Sequence, residues 1–269
     1  MGCHSTAVLT AKQVNQAAKA LYDAEVSNEP TTPTSEKFPD ADIEDAYRIS
    51  QAVTELKLKA GRTIKGHKIG LTSKAMRAIT GATEPDYGTM FDNWFVPEGS
   101  TVPRSRMNRP LVEVEIAFVL NAPLLGPHAH AADVIRATDF VLPCIEIVDT
   151  RQKGRGPNSL VDSISDAAAC GLVVLGGRPM KLTDVDIRRI GASLSINGTI
   201  EESGVAQAVM GNPINAIAWL ANKLHEYGVE LEAGHVLLSG SFIKAIPFKP
   251  GDSVVALFDT LGEVTFNAE

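Results

Sequence analysis

The run Pro110-Leu111-Val112-Glu113-Val114-Glu115-Ile116-Ala117-Phe118-Val119-Leu120 places the strongest constraint on the fold. Its apolar and β-branched residues predict a strand. Strand side chains alternate between faces, so Glu113 and Glu115 project together beside Ala117 and Val119. A buried carboxylate without a partner is costly, so such groups pair, take up a proton or bind a cation. The bland alternative is an edge strand whose glutamates face water. Glu146 bears on this choice: it interrupts Phe140 to Val148, a strongly apolar strand pattern with no solvent-facing alternation to account for a charge. Three such carboxylates ask for a hard cation. Octahedral Mg2+ would keep about three positions for a chelating substrate and water after three single-oxygen ligands, and Mn2+ is also admissible. Asp149 is turned to the opposite face from Glu146 and is left out of the ligand set.

Apolar residues at helical spacing predict helices over Ala11 to Val26 and from Ile43 through Leu56, the second closed by Gly61. Between them Ser27 to Asp40 carries Pro30, Pro33 and Pro39 and is expected to be a loop. From Thr63 the texture changes to short β-type runs separated by turn signals. The expected class is therefore α+β, with a helical N-terminal cap over residues 1–61 and a β-rich core over residues 62–269. Asn197-Gly198 predicts a two-residue hairpin turn, and Asn212-Pro213 an N-cap and first-turn proline opening a helix that stops at Gly228. Val236 to Ser239, Ser253 to Phe258 and Glu263 to Phe266 return to strand patterns.

In Lys65-Gly66-His67-Lys68-Ile69-Gly70-Leu71 an extended chain sets Lys68 on the same face as Gly66 and Gly70, an uncrowded trough that a ligand could approach. Partial desolvation there is expected to lower the lysine pKa towards that of a general base, against the bland reading of a surface lysine. Glu84-Pro85-Asp86-Tyr87-Gly88 reads as a tight turn in which Asp86 caps backbone donors; its chemical value would come from pairing with Lys68. Ser163, Ser165 and Asp166 fit either a capped turn or a pocket wall. His128 and His130 lack a third metal ligand nearby and read as a solvated loop.

The 269 residues are 44% apolar and 21% charged, which is compact globular usage. A net charge of −7 argues against a nucleic-acid partner, which would need a clustered basic excess. Cys3, Cys144 and Cys170 are odd in number and without CxxC spacing, so neither a disulfide framework nor a thiolate zinc site is indicated. With no signal-peptide core in Met1 to Val26 and no apolar stretch of roughly 18 residues, the expected location is cytoplasmic, away from membranes. Neither a GxSxG nor a GxxxxGK[ST] pattern occurs, leaving serine hydrolase and P-loop chemistry unsupported.

Gly66-His67-Lys68-Ile69-Gly70-Leu71-Thr72-Ser73, Glu84-Pro85-Asp86-Tyr87-Gly88, Val112-Glu113-Val114-Glu115-Ile116-Ala117 and Pro143-Cys144-Ile145-Glu146 together resemble the hydratase and decarboxylase branch of the fumarylacetoacetate hydrolase superfamily, in order and in spacing. The similarity runs from about Ile43 to Phe266. It implies a mixed β-roll core with a small helical cap, a homo-oligomer that could associate with a related pathway enzyme, and Mg2+ held by Glu113, Glu115 and Glu146. It further implies Lys68 and Asp86 as an acid–base pair and substrate contacts at Leu71, Ser165 and Ser241. The implied activity is hydration of a 2-oxo-alkenoate of aromatic catabolism, with 2-oxo-hept-4-ene-1,7-dioate foremost; 4-oxalocrotonate decarboxylation and 2-hydroxypenta-2,4-dienoate hydration are the alternatives. A carbon–carbon hydrolase would need a water-activating base that the sequence does not reveal. A non-enzymatic assembly partner would not require Lys68 and Asp86. Three departures touch the pocket: Ala167 stands where relatives carry Asn, Leu111 where they carry a basic residue, and the loop Thr150 to Ser159 is shorter.

Overall fold

The computed structural model describes residues 8–154 and 159–269. Helix α1 (Ala11–Ser27) starts with a capping box between Thr10 and Gln13 and buries Val14, Ala17, Ala18 and Leu21. The proline-rich connector is not wholly irregular: it contains the single turn α2 (Thr34–Lys37), where Thr34 N–H donates to Gln152 and Ser35 N–H and Oγ to Asp162. Those long-range acceptors stabilise a turn that local propensity does not predict. Helix α3 (Ile43–Lys59) opens on a second capping box, Asp42 with Asp45; buried Asp45 also accepts the N–H groups of Val8 and Leu9 and pairs with Arg48 at 2.8 Å. Ile49 of α3 packs on α1, while Ala46 and Tyr47 join the main core.

The β-rich part begins with β1 (Ile64–Gly70), α4 (Lys74–Thr80), β2 (Asp86–Phe91), β3 (Phe95–Val96) and β4 (Thr101–Val102). It continues through β5 (Leu111–Leu120), α5 (Ala131–Ala137), β6 (Thr138–Val148), α6 (Leu160–Ser165) and β7 (Cys170–Leu175). After β8 (Gly191–Ile196), β9 (Thr199–Val205) and α7 (Pro213–Glu226) come β10 (Val236–Leu238), β11 (Ile246–Pro247), β12 (Ser253–Phe258) and β13 (Gly262–Ala268). The larger sheet has the order β2-β1-β10-β5-β6-β7-β3, with β11 paired to β5; the smaller runs β4-β13-β12-β8-β9. Most pairs are antiparallel, but β1–β10, β3–β7 and β4–β13 are parallel, which makes the roll mixed. The expected Asn197-Gly198 turn joins β8 to β9 with both residues at positive φ, and Asn212 caps α7 ahead of Pro213.

The two faces of β5 have separate tasks. Val112, Val114, Ile116 and Phe118, all fully buried, meet Val254, Ala256, Val264 and Phe266 of the smaller sheet in the main core. The other face carries Glu113, Glu115 and Ala117, and Ala117 belongs to a second cluster with Met90, Phe91, Trp94, Cys144, Cys170, Val173 and Leu238. The cap is held to the core by a Tyr47–Tyr87 stack, with ring centroids 4.8 Å apart, and by Lys57, whose Nζ pairs with Glu25 and lies 3.9 Å from the Trp94 ring centre. Among the described residues no helix is long and apolar enough to cross a membrane. Truncating Ile116 to alanine would leave a cavity in the middle of the main core, so Ile116→Ala is expected to cost about 2–5 kcal/mol in urea unfolding. A loss under about 1 kcal/mol would contradict this account of the core.

Candidate active site

Glu113 and Glu115 leave β5 on the face away from the inter-sheet core, and Glu146 stands across from Glu113 in β6. Glu115 and Glu146 are fully buried and Glu113 half-buried, and one oxygen from each lies within 4.8 Å of the other two. Strand β5 is interior, flanked by β10 and β6, so the edge-strand alternative with water-facing glutamates is overturned. The Gly240 N–H donates to Glu115 Oε2 at 2.8 Å, whereas Glu115 Oε1 and both oxygens of Glu146 are left without a hydrogen bond. Burial, followed by repulsion from Glu146, pushes the Glu113 carboxyl up to about 7 and Glu115 well above the usual carboxylate range. Crowded, under-satisfied hard oxygen donors fit a divalent cation such as Mg2+ or Mn2+.

Lys68 arrives in the same place because β1 pairs with β10, which in turn pairs with β5: Lys68 aligns with Leu238, and Leu238 with Ala117. Its Nζ lies 3.2 Å from Glu146 Oε1 and donates to the Ala168 carbonyl at 3.0 Å. The expected lowering of its pKa is reversed. Burial does favour the neutral amine, but Glu146, Glu113, Asp86 and Glu115 together outweigh it and hold the ammonium above the ordinary lysine range.

Asp86, expected in a tight turn, is the first residue of β2 and pairs in register with Gly70. The hairpin ladder with β1 draws it into the sheet. Its Oδ2 accepts from Ser163 Oγ at 3.0 Å, while its buried Oδ1 has no hydrogen bond. A Cβ built on Gly70 would lie 2.2 Å from that Oδ1 and 3.5 Å from Lys68 Nζ, so glycine there leaves room for both groups. Burial raises the Asp86 carboxyl, with Lys68 opposing.

The other site candidates are Leu71 and Ser241, which follow Gly70 and Gly240 in the chain, and Ser165. Leu71 has φ of 56° and its carbonyl accepts from Arg77 at 2.7 Å. Ser241 Oγ donates to the Ile243 carbonyl and accepts from the Ile243 N–H. Ser165 is buried, its Oγ bonded to Thr34 Oγ1 and to the Asp162 carbonyl, so it joins the wall to the connector. Residues 155–158 of the Thr150 to Ser159 loop lie outside the described residues. Two groups that touch the site had no side-chain signal: the Gly240 N–H on Glu115 and the Ala168 carbonyl on Lys68. Ala168 lies in a run, Ala167 to Ala169, whose φ values are 52°, 51° and 56°. Left-handed backbone costs roughly 1–2 kcal/mol per non-glycine residue, so this turn is held by its surroundings.

Residues 57–267 match the family model for the fumarylacetoacetate (FAA) hydrolase C-terminal region. The chain is 45% identical over 253 residues to a 2-oxo-hept-4-ene-1,7-dioate hydratase of Escherichia coli, covering 92% of this chain and 95% of that protein. It is 35% identical over 257 residues to a 4-oxalocrotonate decarboxylase of Pseudomonas putida, covering 96% and 97% of the two chains. Among solved structures, 4-oxalocrotonate decarboxylase from Pseudomonas putida G7, complexed with magnesium and adipate, superposes with a TM-score of 0.94 at 34% identity, covering 98% of this chain and 100% of that one.

A carboxyl pKa raised in the folded state means that the folded protein binds the proton more tightly. The metal-free protein therefore loses stability as pH rises from 4.5, the ordinary value for Glu113, to about 7, its folded value. A divalent cation held by these carboxylates would replace that proton, so added Mg2+ is expected to raise the Tm more at about pH 7.5 than at about pH 5.5, with roughly 2.7 kcal/mol gained at a hundredfold excess over Kd. Calorimetry with and without EDTA checks this; an equal effect at both pH values contradicts it.

Proposed function

The chain belongs to the fumarylacetoacetate hydrolase family and is an enzyme of the lyase class, and on that premise we propose that it is a divalent-metal hydratase acting on 2-oxo-hept-4-ene-1,7-dioate. The observation that carries this reading is the Glu113, Glu115 and Glu146 oxygen cluster with the Lys68 ammonium 3.2 Å from Glu146. The 45% identity to the E. coli hydratase, against 35% to the decarboxylase, sets hydration ahead of decarboxylation.

Glu113, Glu115 and Glu146 would hold the metal, Mg2+ by preference or Mn2+, which when bound supplies a Lewis acid for the substrate's 2-oxygen. Asp86 and Lys68 move the protons. Asp86, whose carboxyl burial makes more basic, takes a proton from C3, and Lys68, held as ammonium, places one on C5, bringing the double bond into conjugation with the 2-oxo group. Water then bonds through its oxygen to C4 and passes a proton to the Lys68 amine while Asp86 returns its proton to C3, giving the 4-hydroxy-2-oxo product and restoring both groups. The enclosing strands keep bulk water from competing with these transfers. Leu71 and Ser241 are assigned to the substrate's flank, and Ser165 to the wall behind it. Ile200, Val205 and Leu257 are exposed on the smaller sheet and favour a homo-oligomer as the working form.

The second reading, decarboxylation of 4-oxalocrotonate, is favoured by the TM-score of 0.94 with the solved decarboxylase. Stopped assays with product analysis on 2-oxo-hept-4-ene-1,7-dioate, 2-hydroxypenta-2,4-dienoate and 4-oxalocrotonate, each with EDTA or added Mg2+, separate the two. Mg2+-dependent water addition is expected, fastest on the seven-carbon diacid; CO2 release from oxalocrotonate would transfer the assignment. Lys68→Met is expected to lower kcat by roughly 10²–10⁴-fold while Mg2+ still binds. Retention of the wild-type rate in that variant would remove Lys68 from the mechanism.

A further inference from the structure

Arg151 reaches the site from the loop that follows β6, and all three of its guanidinium nitrogens donate to one short stretch of chain. Nε donates to Asp166 Oδ1, Nη2 to the Asp166 carbonyl at 2.7 Å and Nη1 to the Cys170 carbonyl at 2.5 Å. These acceptors stand immediately before and after the left-handed run Ala167 to Ala169. Asp166 is fixed in turn by the Arg151 N–H at 2.8 Å and Thr150 Oγ1 at 2.9 Å, and the Ala169 carbonyl accepts from Asp149 N–H at 2.8 Å.

The other two carbonyls of the run both lie against the β1–β2 pair, that of Ala167 also accepting from the Cys170 N–H. The Ala167 oxygen sits where a side chain on residue 88 would go: a Cβ on Gly88 would be 1.9 Å from it. The Ala168 oxygen accepts from Lys68 Nζ, and Lys68 is the register partner of Gly88. A turn of three alanines has no side-chain hydrogen bond to hold its left-handed backbone and no glycine to adopt it freely. The planar, forked guanidinium is the group able to bind two carbonyls and a carboxylate at once.

We propose that Arg151 is the positioning residue for Lys68: its guanidinium clamps both ends of the left-handed alanine turn and so aims the Ala168 carbonyl at the Lys68 ammonium. With that carbonyl on one side and the Glu146 carboxylate on the other, Nζ is fixed between a hydrogen-bond acceptor and an ion-pair partner. This rests on the assignment of Lys68 as a proton-moving group.

The test uses the full chain carrying Arg151→Lys, Arg151→Met, or Arg151→Met with Ala167→Gly. Lysine keeps the charge but not the fork, so both single variants are expected to lose kcat by roughly 10- to 100-fold, with KM and calorimetric Mg2+ affinity within about threefold of wild type. Glycine at residue 167 holds positive φ without help and is expected to restore several-fold of the lost kcat. An unchanged kcat in Arg151→Lys would overturn the proposal, as would parallel loss of kcat, Mg2+ affinity and Tm, which marks a merely structural residue. Acylation of Lys68 by an amine-directed reagent, followed by peptide mass spectrometry, gives a readout independent of the reaction. Faster labelling is expected in the single variants, and wild-type labelling would overturn the clamp even where no 2-oxo acid is turned over.

Discussion

The structure turns on an imbalance of buried charge. Glu113, Glu115, Glu146 and Asp86 crowd around one ammonium, that of Lys68. Taking even one unpaired ion out of water is expensive, and four acids against one base leave a surplus that hydrogen bonds do not remove, since oxygens of Glu115, Glu146 and Asp86 lack hydrogen-bond donors. In the metal-free protein the surplus shows as carboxyl groups that resist ionisation. A divalent cation held there would cancel it. The same imbalance explains why Lys68 keeps its proton against desolvation: its neighbours need its charge.

Such a cluster needs a scaffold whose folding energy comes from elsewhere. One face of β5 supplies it through Val112, Val114, Ile116 and Phe118 against the smaller sheet, and the opposite face carries the acids. The period of two in a strand separates the two tasks within one segment. Behind the acids, the Trp94 ring, Lys57 and Glu25 bind the cap helices to the core, while Arg151 and Asp166 brace the alanine turn. Stability and chemistry thus share a sheet without sharing side chains.

The parts of this arrangement legible in the sequence are those fixed by periodicity and by special residue types. Alternation in Leu111 to Leu120 placed the two glutamates on one face, the apolar setting of Glu146 marked it as unusual, and Asn197-Gly198 and Asn212-Pro213 announced their turn and helix. Long-range context supplied the rest. The lysine's protonation depends on carboxylates from three other strands, β2, β5 and β6, and desolvation alone pointed the wrong way. Asp86 joins a ladder that local turn chemistry does not encode. The connector's helical turn depends on Gln152 and Asp162, more than a hundred residues distant. Three alanines carry no side-chain signal, so their left-handed turn is invisible until Arg151 and Gly88 are in place around it.

Strand β10 has a bearing on how the chain is made. It lies between β1 and β5, so those two strands never pair directly and stay apart until Val236 to Leu238 enter the gap. On a ribosome, Lys68 and the glutamates emerge long before the segment that unites them. The two pairings that join Lys68 to the glutamate strands are therefore available only in the last part of synthesis.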